Sequence, residues 1–286
     1  MIFESGITAS SLNWRAIQNE VARFARACAY DRAWFGWSDP ARTPRVLSLL
    51  VDELHSLLEA AKIPAPYILV GHSFGGLLVQ AYAVAHPKEV AALVLIDPLP
   101  ATEWLRLSKE QSRLLRWGVT LSRRGALLAR LGVVRFSLAM LSGGARTLPK
   151  LAARLTSGRA ESTLSRLVGE VQKMPAEVWP IVQAHWCRPQ GFLGMAEYFK
   201  ALPASSAQAA ALGDLPKIPV SILSAANSTS SQLADRDLIA RRAPRGKHIL
   251  VKNSGHWIHL DQPQAVIAAI REIVEIVRNA GPPVAV

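Results

Sequence analysis

The chain has 286 residues, half of them hydrophobic, and a formal charge of +12 at pH 7. That length suits one large α/β core with an insertion rather than two independent domains, and two cysteines in unrelated contexts, Cys28 and Cys187, speak against a disulfide framework and for a reducing compartment. No stretch reaches about 18 uninterrupted apolar residues, which speaks against a spanning helix; the nearest, Ala126 to Leu141, carries Arg130 and Arg135 in its middle.

In chain order, Met1 opens directly into Ile2-Phe3-Glu4-Ser5-Gly6 with no secretory leader, so the expected location is cytoplasmic. Ile2-Phe3-Glu4 is short for a parallel strand, and further N-terminal strands are expected in a longer form. Leu47 to Ala61 reads as an amphipathic helix. Tyr67–Val70 and Ala92–Ile96 read as buried strands, separated by a helix from Phe74 to Ala85 that Pro87 stops. From Thr102 to Ala211 the pattern is helical only, punctuated by Gly143, Gly144, Pro149, Pro175, Pro180 and Pro189. Strands return at Pro219–Leu223 and His248–Val251, with helices at Gln232–Arg241 and Ala265–Val277. Alternating strands and helices predict an α/β fold, a mostly parallel sheet flanked by helices. Residues 1–100 and 212–286 are expected to form the core. Residues 101–211 are expected to be a helical cap over the C-terminal strand edge, where open α/β sheets place their ligands.

The charge is uneven. Ala101 to Leu215 holds sixteen Lys/Arg against seven Asp/Glu, and Gln111 to Ala160 holds ten cations and no acid. No zinc-finger spacing or RNP-like motif accompanies them, so a nucleic-acid partner is not expected. Interleaved with Leu, Val and Trp117, these cations form either a solvated helix face or a surface for peripheral contact with anionic membrane.

Gly71-His72-Ser73-Phe74-Gly75 fits G-x-S-x-G between a strand and a helix. A sharp strand-to-helix turn forces its central residue into a strained conformation that side chains on either side would obstruct, and it projects the Ser73 hydroxyl above the sheet. A serine hydroxyl needs an adjacent base to act as a nucleophile. His256 follows the strand His248–Val251 across a short turn and is the first candidate. His259 ranks lower because it is further from the strand end. His72, His86 and His185 are expected to pack or face solvent, and His55 lies on a helix.

Val70-Gly-His-Ser-Phe-Gly-Gly76 and Asn253-Ser-Gly-His-Trp-Ile-His-Leu-Asp-Gln-Pro263 resemble the nucleophile and histidine segments of the α/β-hydrolase superfamily. Tyr30-Asp-Arg-Ala-Trp-Phe-Gly-Trp-Ser-Asp-Pro40 resembles the loop after the strand preceding the nucleophile helix. The resemblance runs from Phe3 to about Pro98 and from Pro219 to about Val277; the cap matches no named pattern. It implies a serine hydrolase of esterase type, with a Ser-His-acid triad, an oxyanion hole, water as second substrate and no cofactor or metal; amide or C–C bond hydrolysis would use the same triad, and a non-catalytic binding protein on this fold is the alternative. The resemblance assigns the oxyanion donors to the backbone amide of Phe74 and, in the loop Ser5-Gly6-Ile7, to that of Ile7. The family usually places the acid just after the strand Val220–Leu223, but Ser224-Ala-Ala-Asn-Ser-Thr-Ser-Ser231 contains none. Asp97 and Asp235 are the substitutes, Asp97 preferred because it directly ends a strand. Asp235, beside Arg236 and Asp237, fits a surface ion pair, and Asp31 a structural pair with Arg32. Trp104, Trp117, Trp179, Trp186, Phe192, Tyr198 and Phe199 of the cap suit either an apolar pocket for a small ester-like substrate or the cap's own core.

Overall fold

The computed structural model describes residues 1–142 and 173–280. The parts of the basic run beyond Ser142, with Gly143, Gly144 and Pro149, lie outside the described residues. Strands β1 (Ile2–Glu4), β2 (Cys28–Ala29), β3 (Tyr67–His72), β4 (Val90–Ile96), β5 (Val220–Ala225) and β6 (Lys247–Val251) form one sheet in the order β2-β1-β3-β4-β5-β6. Every pairing is parallel. Its helices are α1 (Arg15–Val21), α2 (Leu47–Ala60), α3 (Phe74–Ala85), α4 (Lys109–Arg130), α5 (Val133–Ser142), α6 (Trp179–Trp186), α7 (Pro189–Ala210), α8 (Ser230–Arg242), α9 (Ile258–Asp261) and α10 (Pro263–Asn279). Among the described residues the segment between β4 and β5 contains helices joined by loops and no strand.

The two-residue alternation of a strand divides the core. Leu93 and Leu95 of β4 join Leu69 and Ile222 under α2 and α3, while Ala92, Val94 and Ile96 join Val70 and Leu223 under α1 and α10. Leu47, Leu50, Val51, Leu54 and Leu58 of α2 recur at helical spacing and are all buried. On the other face Val266, Ile267, Ile270, Ile273 and Val274 of α10 do the same. Burying a side chain of this size contributes about 1.5–3 kcal/mol, so the two stripes fix which face each helix covers. β5 runs two residues further than the apolar pattern suggests, because Ser224 and Ala225 pair with Leu250 and Val251 of β6.

The cap rests on this core through α7. Tyr198 and Leu202 are buried in the α2/α3 layer, and the Tyr198 ring meets Phe74 edge-on at 5.8 Å. α4 lies across α7, where Gly118 and Gly125 admit the rings of Phe199 and Phe192. Trp179 and Trp186 pack with Met174, Val178 and Val182, and Trp104 packs against the main core. Trp117 does neither: it is 55% exposed.

Candidate active site

Ser73 follows β3 at the C-terminal edge of the sheet and has φ +55° and ψ −120°. A non-glycine residue held there costs on the order of 1–3 kcal/mol, and the surroundings impose it. Its amide donates to Ile96 O at 3.0 Å, and its carbonyl accepts from Gly76 N at 2.9 Å and Leu99 N at 3.1 Å. The glycines are a packing requirement. A Cβ on Gly71 would stand 2.5 Å from Gly75 O, and one on Gly75 would stand 2.5 Å from Glu4 O. Phe74, the first residue of α3, has an amide with no partner one turn back.

Asp97 directly follows β4, the neighbour of β3, and has φ +42°. Its Oδ2 lies 2.6 Å from Nδ1 of His256, on the loop after β6. Its Oδ1 accepts from Ala225 N at 2.9 Å, Ser228 Oγ at 3.2 Å and Arg236 Nη1 at 2.7 Å. Burial raises the carboxyl's pKa. The His256 hydrogen bond, the Arg236 charge and the Ala225 amide together outweigh burial and hold it below the usual carboxylate value. Asp97 is therefore charged across the neutral range, and it lies against the one histidine at this edge that reaches solvent.

The structure does not bring Asp235 to this cluster. It is exposed on α8, where its carboxylate accepts from Thr102 Oγ1 at 3.3 Å. Arg236, expected in a surface ion pair, is instead 3% exposed. Besides Asp97 it donates to Ser224 Oγ and Ser228 Oγ, both at 3.0 Å, and to Pro98 O at 2.8 Å. Successive helical residues are rotated by about 100°, so one side chain points inward and its neighbour outward. Ala240, four residues on, is also buried, and that spacing was the available signal. Asp237 pairs with His248 at 2.6 Å.

Ser5-Gly6-Ile7 lies against the elbow: a Cβ on Gly6 would come 3.3 Å from Ser73 Cβ. Arg32 holds this loop from behind, donating to Ser5 O at 2.5 Å and Gly6 O at 2.6 Å. In a trans peptide the N–H points opposite the C=O. A Gly6 carbonyl held by Arg32 therefore turns the Ile7 amide the other way. Arg32 is also ion-paired with buried Glu4, which accepts from Tyr30 as well, and its Nε donates to Tyr198 Oη at 3.1 Å. The expected Asp31–Arg32 pair is thus corrected. Asp31 instead accepts from the Ser11 and Trp37 amides at 2.7 and 3.0 Å, because Arg32 turns inward to the uncompensated charge of Glu4. An acid in the otherwise apolar strand Ile2-Phe3-Glu4 was the sequence sign that a buried cation would be needed.

The other histidines are packing groups. His72 is 1% exposed, and its Nε2–H donates to His256 O at 2.9 Å, which fixes the backbone of the histidine loop. Burial pushes its pKa well below 6.5. His259, also 1% exposed, stacks on Trp14 at 4.6 Å. Burial and the nearby His256 push its pKa down to about 3. At the far end of α3, His55, His86 and Glu89 have ligand atoms within 4.8 Å of one another. The two imidazoles stack at 4.1 Å with planes 9° apart, so their in-plane lone pairs run parallel rather than converging on one ion. Among the described residues, one surface depression is lined by Gln264, Ile267, Arg271 and Glu275 of α10 and another by Tyr30, Arg32, Leu50 and Leu57. Neither borders Ser73.

The whole architecture has solved counterparts. A thermophilic esterase from Thermogutta terrifontis superposes with TM-score 0.62 at 22% identity, covering 96% of this chain and 89% of that one. A presumed epoxide hydrolase from Pseudomonas aeruginosa gives 0.72 at 16% identity over 98% and 89%. At these identities the likeness establishes the fold alone. Among curated relatives, the 2-hydroxymuconate semialdehyde hydrolase of Pseudomonas sp. (strain CF600) is 38% identical over 105 residues, 35% of this chain and 36% of that protein. The YqjL protein of Bacillus subtilis (strain 168) is 34% identical over 98 residues, 34% of this chain and 39% of that protein. The chain spans well under half the length of these relatives. The family described as alpha/beta hydrolase fold matches residues 1–263, and the chain belongs to it.

Proposed function

We propose that the protein is a serine hydrolase that cleaves a carboxylic ester through an acyl-enzyme. Ser73 attacks the carbonyl, and His256 takes its proton and returns it to the leaving alcohol. Asp97 orients the imidazole and stabilises the imidazolium, and the amides of Phe74 and Ile7 hold the oxyanion. Water then repeats the attack on the acyl-enzyme with the same base. The observation that carries this reading is the 2.6 Å contact between Asp97 and His256 at the strand edge that also presents the strained Ser73. Carboxylate-nucleophile chemistry, which epoxide opening on this fold uses, has no carboxylate at position 73 to carry it. The substrate in this reading is a small apolar ester, and free Cys28 and Cys187 suit a reducing cytoplasm.

A fluorophosphonate probe tests the assignment. It should label the wild type at Ser73 alone, label Ser73→Ala not at all and label His256→Ala far more slowly. Labelling that survives Ser73→Ala would sink the reading. A p-nitrophenyl ester series of graded chain length then reports the acyl preference. Likeness to the 2-hydroxymuconate semialdehyde hydrolase favours a second reading, C–C bond hydrolysis by the same residues. Turnover of 2-hydroxymuconate semialdehyde, with no activity across the ester series, would select it.

A further inference from the structure

Helix α4 is built inside out for a helix on a water-facing surface. Its inward row, Gly118, Ser122, Gly125, Ala126 and Ala129, is small and packs on α7. The large apolar residues lie on the other side: Leu114, Trp117, Leu121, Leu128 and Leu131 are 61%, 55%, 53%, 44% and 68% exposed. Their spacings of three, four and seven place them in one stripe along a helix about 33 Å long. Arg113, Arg116, Arg123 and Arg130 form the adjacent row, with Arg124 inside the apolar stripe, and all five are exposed. Among the described residues none of them forms an ion pair. Phe136, 62% exposed, and Arg135 extend the pattern onto α5. A contiguous exposed apolar surface of this extent marks an interaction site rather than ordinary scatter.

We infer that the outer face of α4 docks the protein on an anionic lipid surface. The occupant follows from the two rows together. Leu and Trp side chains beside a row of arginines match the boundary between acyl chains and negatively charged headgroups. A second copy of this chain would bring the same arginines face to face and would have to overcome their repulsion. Among the described residues no helix is long and apolar enough to cross a membrane, so contact through α4 is peripheral. α7 lies between α4 and the sheet, so the docked molecule presents its cap, not its sheet edge, to the bilayer. The inference is independent of the chemistry at Ser73.

The test is flotation of the full chain with vesicles of phosphatidylcholine alone or mixed equally with phosphatidylglycerol. Binding should require the anionic lipid and weaken as salt rises. Arg116→Gln with Arg123→Gln should lower the partition coefficient roughly 25-fold, about fivefold per arginine. Leu121→Ala with Leu128→Ala should lower it at least tenfold with the charge unchanged. Arg241→Gln with Arg242→Gln, at the exposed end of α8, is the charge-matched control and should bind as wild type. Circular dichroism and melting temperature of each variant confirm the fold. Equal recovery on neutral and anionic vesicles would overturn the inference. So would a leucine pair that binds undiminished, which would leave only bulk charge. A dimer in solution that Trp117→Ala dissolves, without vesicle binding, would give the face to a second copy.

Discussion

Arg236 and His256 hold opposite oxygens of one carboxylate, Nη1 at 2.7 Å from Oδ1 of Asp97 and Nδ1 at 2.6 Å from Oδ2. The end of β5 and the loop after it supply further donors to Asp97, the Ala225 amide and the Ser228 hydroxyl. Asn227 of that loop is left exposed.

Asp97→Asn should therefore lose most turnover, approaching the roughly 10⁴-fold loss in kcat that an amide causes in a serine-protease triad. Asp235→Asn should stay near wild type. Both are measured on one chromogenic ester with circular dichroism unchanged. The opposite ranking would move the acid's role to α8.

Arg236→Met should cost about 3–5 kcal/mol, because it leaves Asp97 buried with one charged partner fewer. It also has a pH signature. The folded carboxyl titrates below its ordinary value, so its stabilising contribution is full above about pH 4 and fades as pH falls through the depressed value. Without Arg236 that value climbs back and this contribution shrinks, so the stability gap between variant and wild type should be largest at neutral pH and narrow as pH falls below about 4. Urea midpoints from pH 3 to 7 would show it; a gap that stays constant over that range would count against a role through Asp97.

Arg32→Met tests the oxyanion loop. Freeing the Ser5 and Gly6 carbonyls should lower kcat on the order of 10²–10³-fold, the usual effect of losing an oxyanion donor, with a smaller change in KM. The substitution also strands the Glu4 charge, so stability falls with it. Adding Glu4→Gln should restore stability and leave kcat low. If the double variant recovers turnover as well, Arg32 serves folding alone.

The parts of this molecule that were legible in the sequence are those that local pattern determines. Apolar runs fixed β3 and β4, the leucine spacing of α2 fixed its buried face, and G-x-S-x-G between strand and helix placed Ser73. The preference for Asp97 over Asp235 came from its anchorage at a strand end. What escaped was long-range charge pairing. Arg32 is 28 residues from Glu4, and Arg236 is 139 from Asp97, and nothing in their immediate neighbours shows which way a guanidinium turns. α1 (Arg15–Val21) was not anticipated either: at seven residues it is too short to show a periodicity.

His259 and His72 should make the protein acid-sensitive, and His259→Phe should relieve part of it. Both imidazoles are buried and held neutral, His259 with a pKa of about 3 and His72 well below 6.5. In the unfolded chain both take up protons near pH 6.5. Below that value the unfolded state binds protons that the folded state refuses, so stability falls as pH falls, by about 1.4 kcal/mol per pH unit for each ring. The window for His259 runs from about 6.5 down to about 3. A phenyl ring is close in size to imidazole and can keep the stack on Trp14; His259 Nδ1 makes no hydrogen bond. His259→Phe should therefore flatten the stability curve relative to wild type by about 1.4 kcal/mol per pH unit between pH 6 and 4. Carboxylates contribute equally to both proteins and cancel in the difference. The pH–rate profile on a chromogenic ester should keep its shape, because His256 and not His259 faces Asp97. Parallel urea-stability curves for the two proteins would mean that His259 is protonated in the fold. A displaced rate profile would mean that it takes part in the proton transfer assigned to His256.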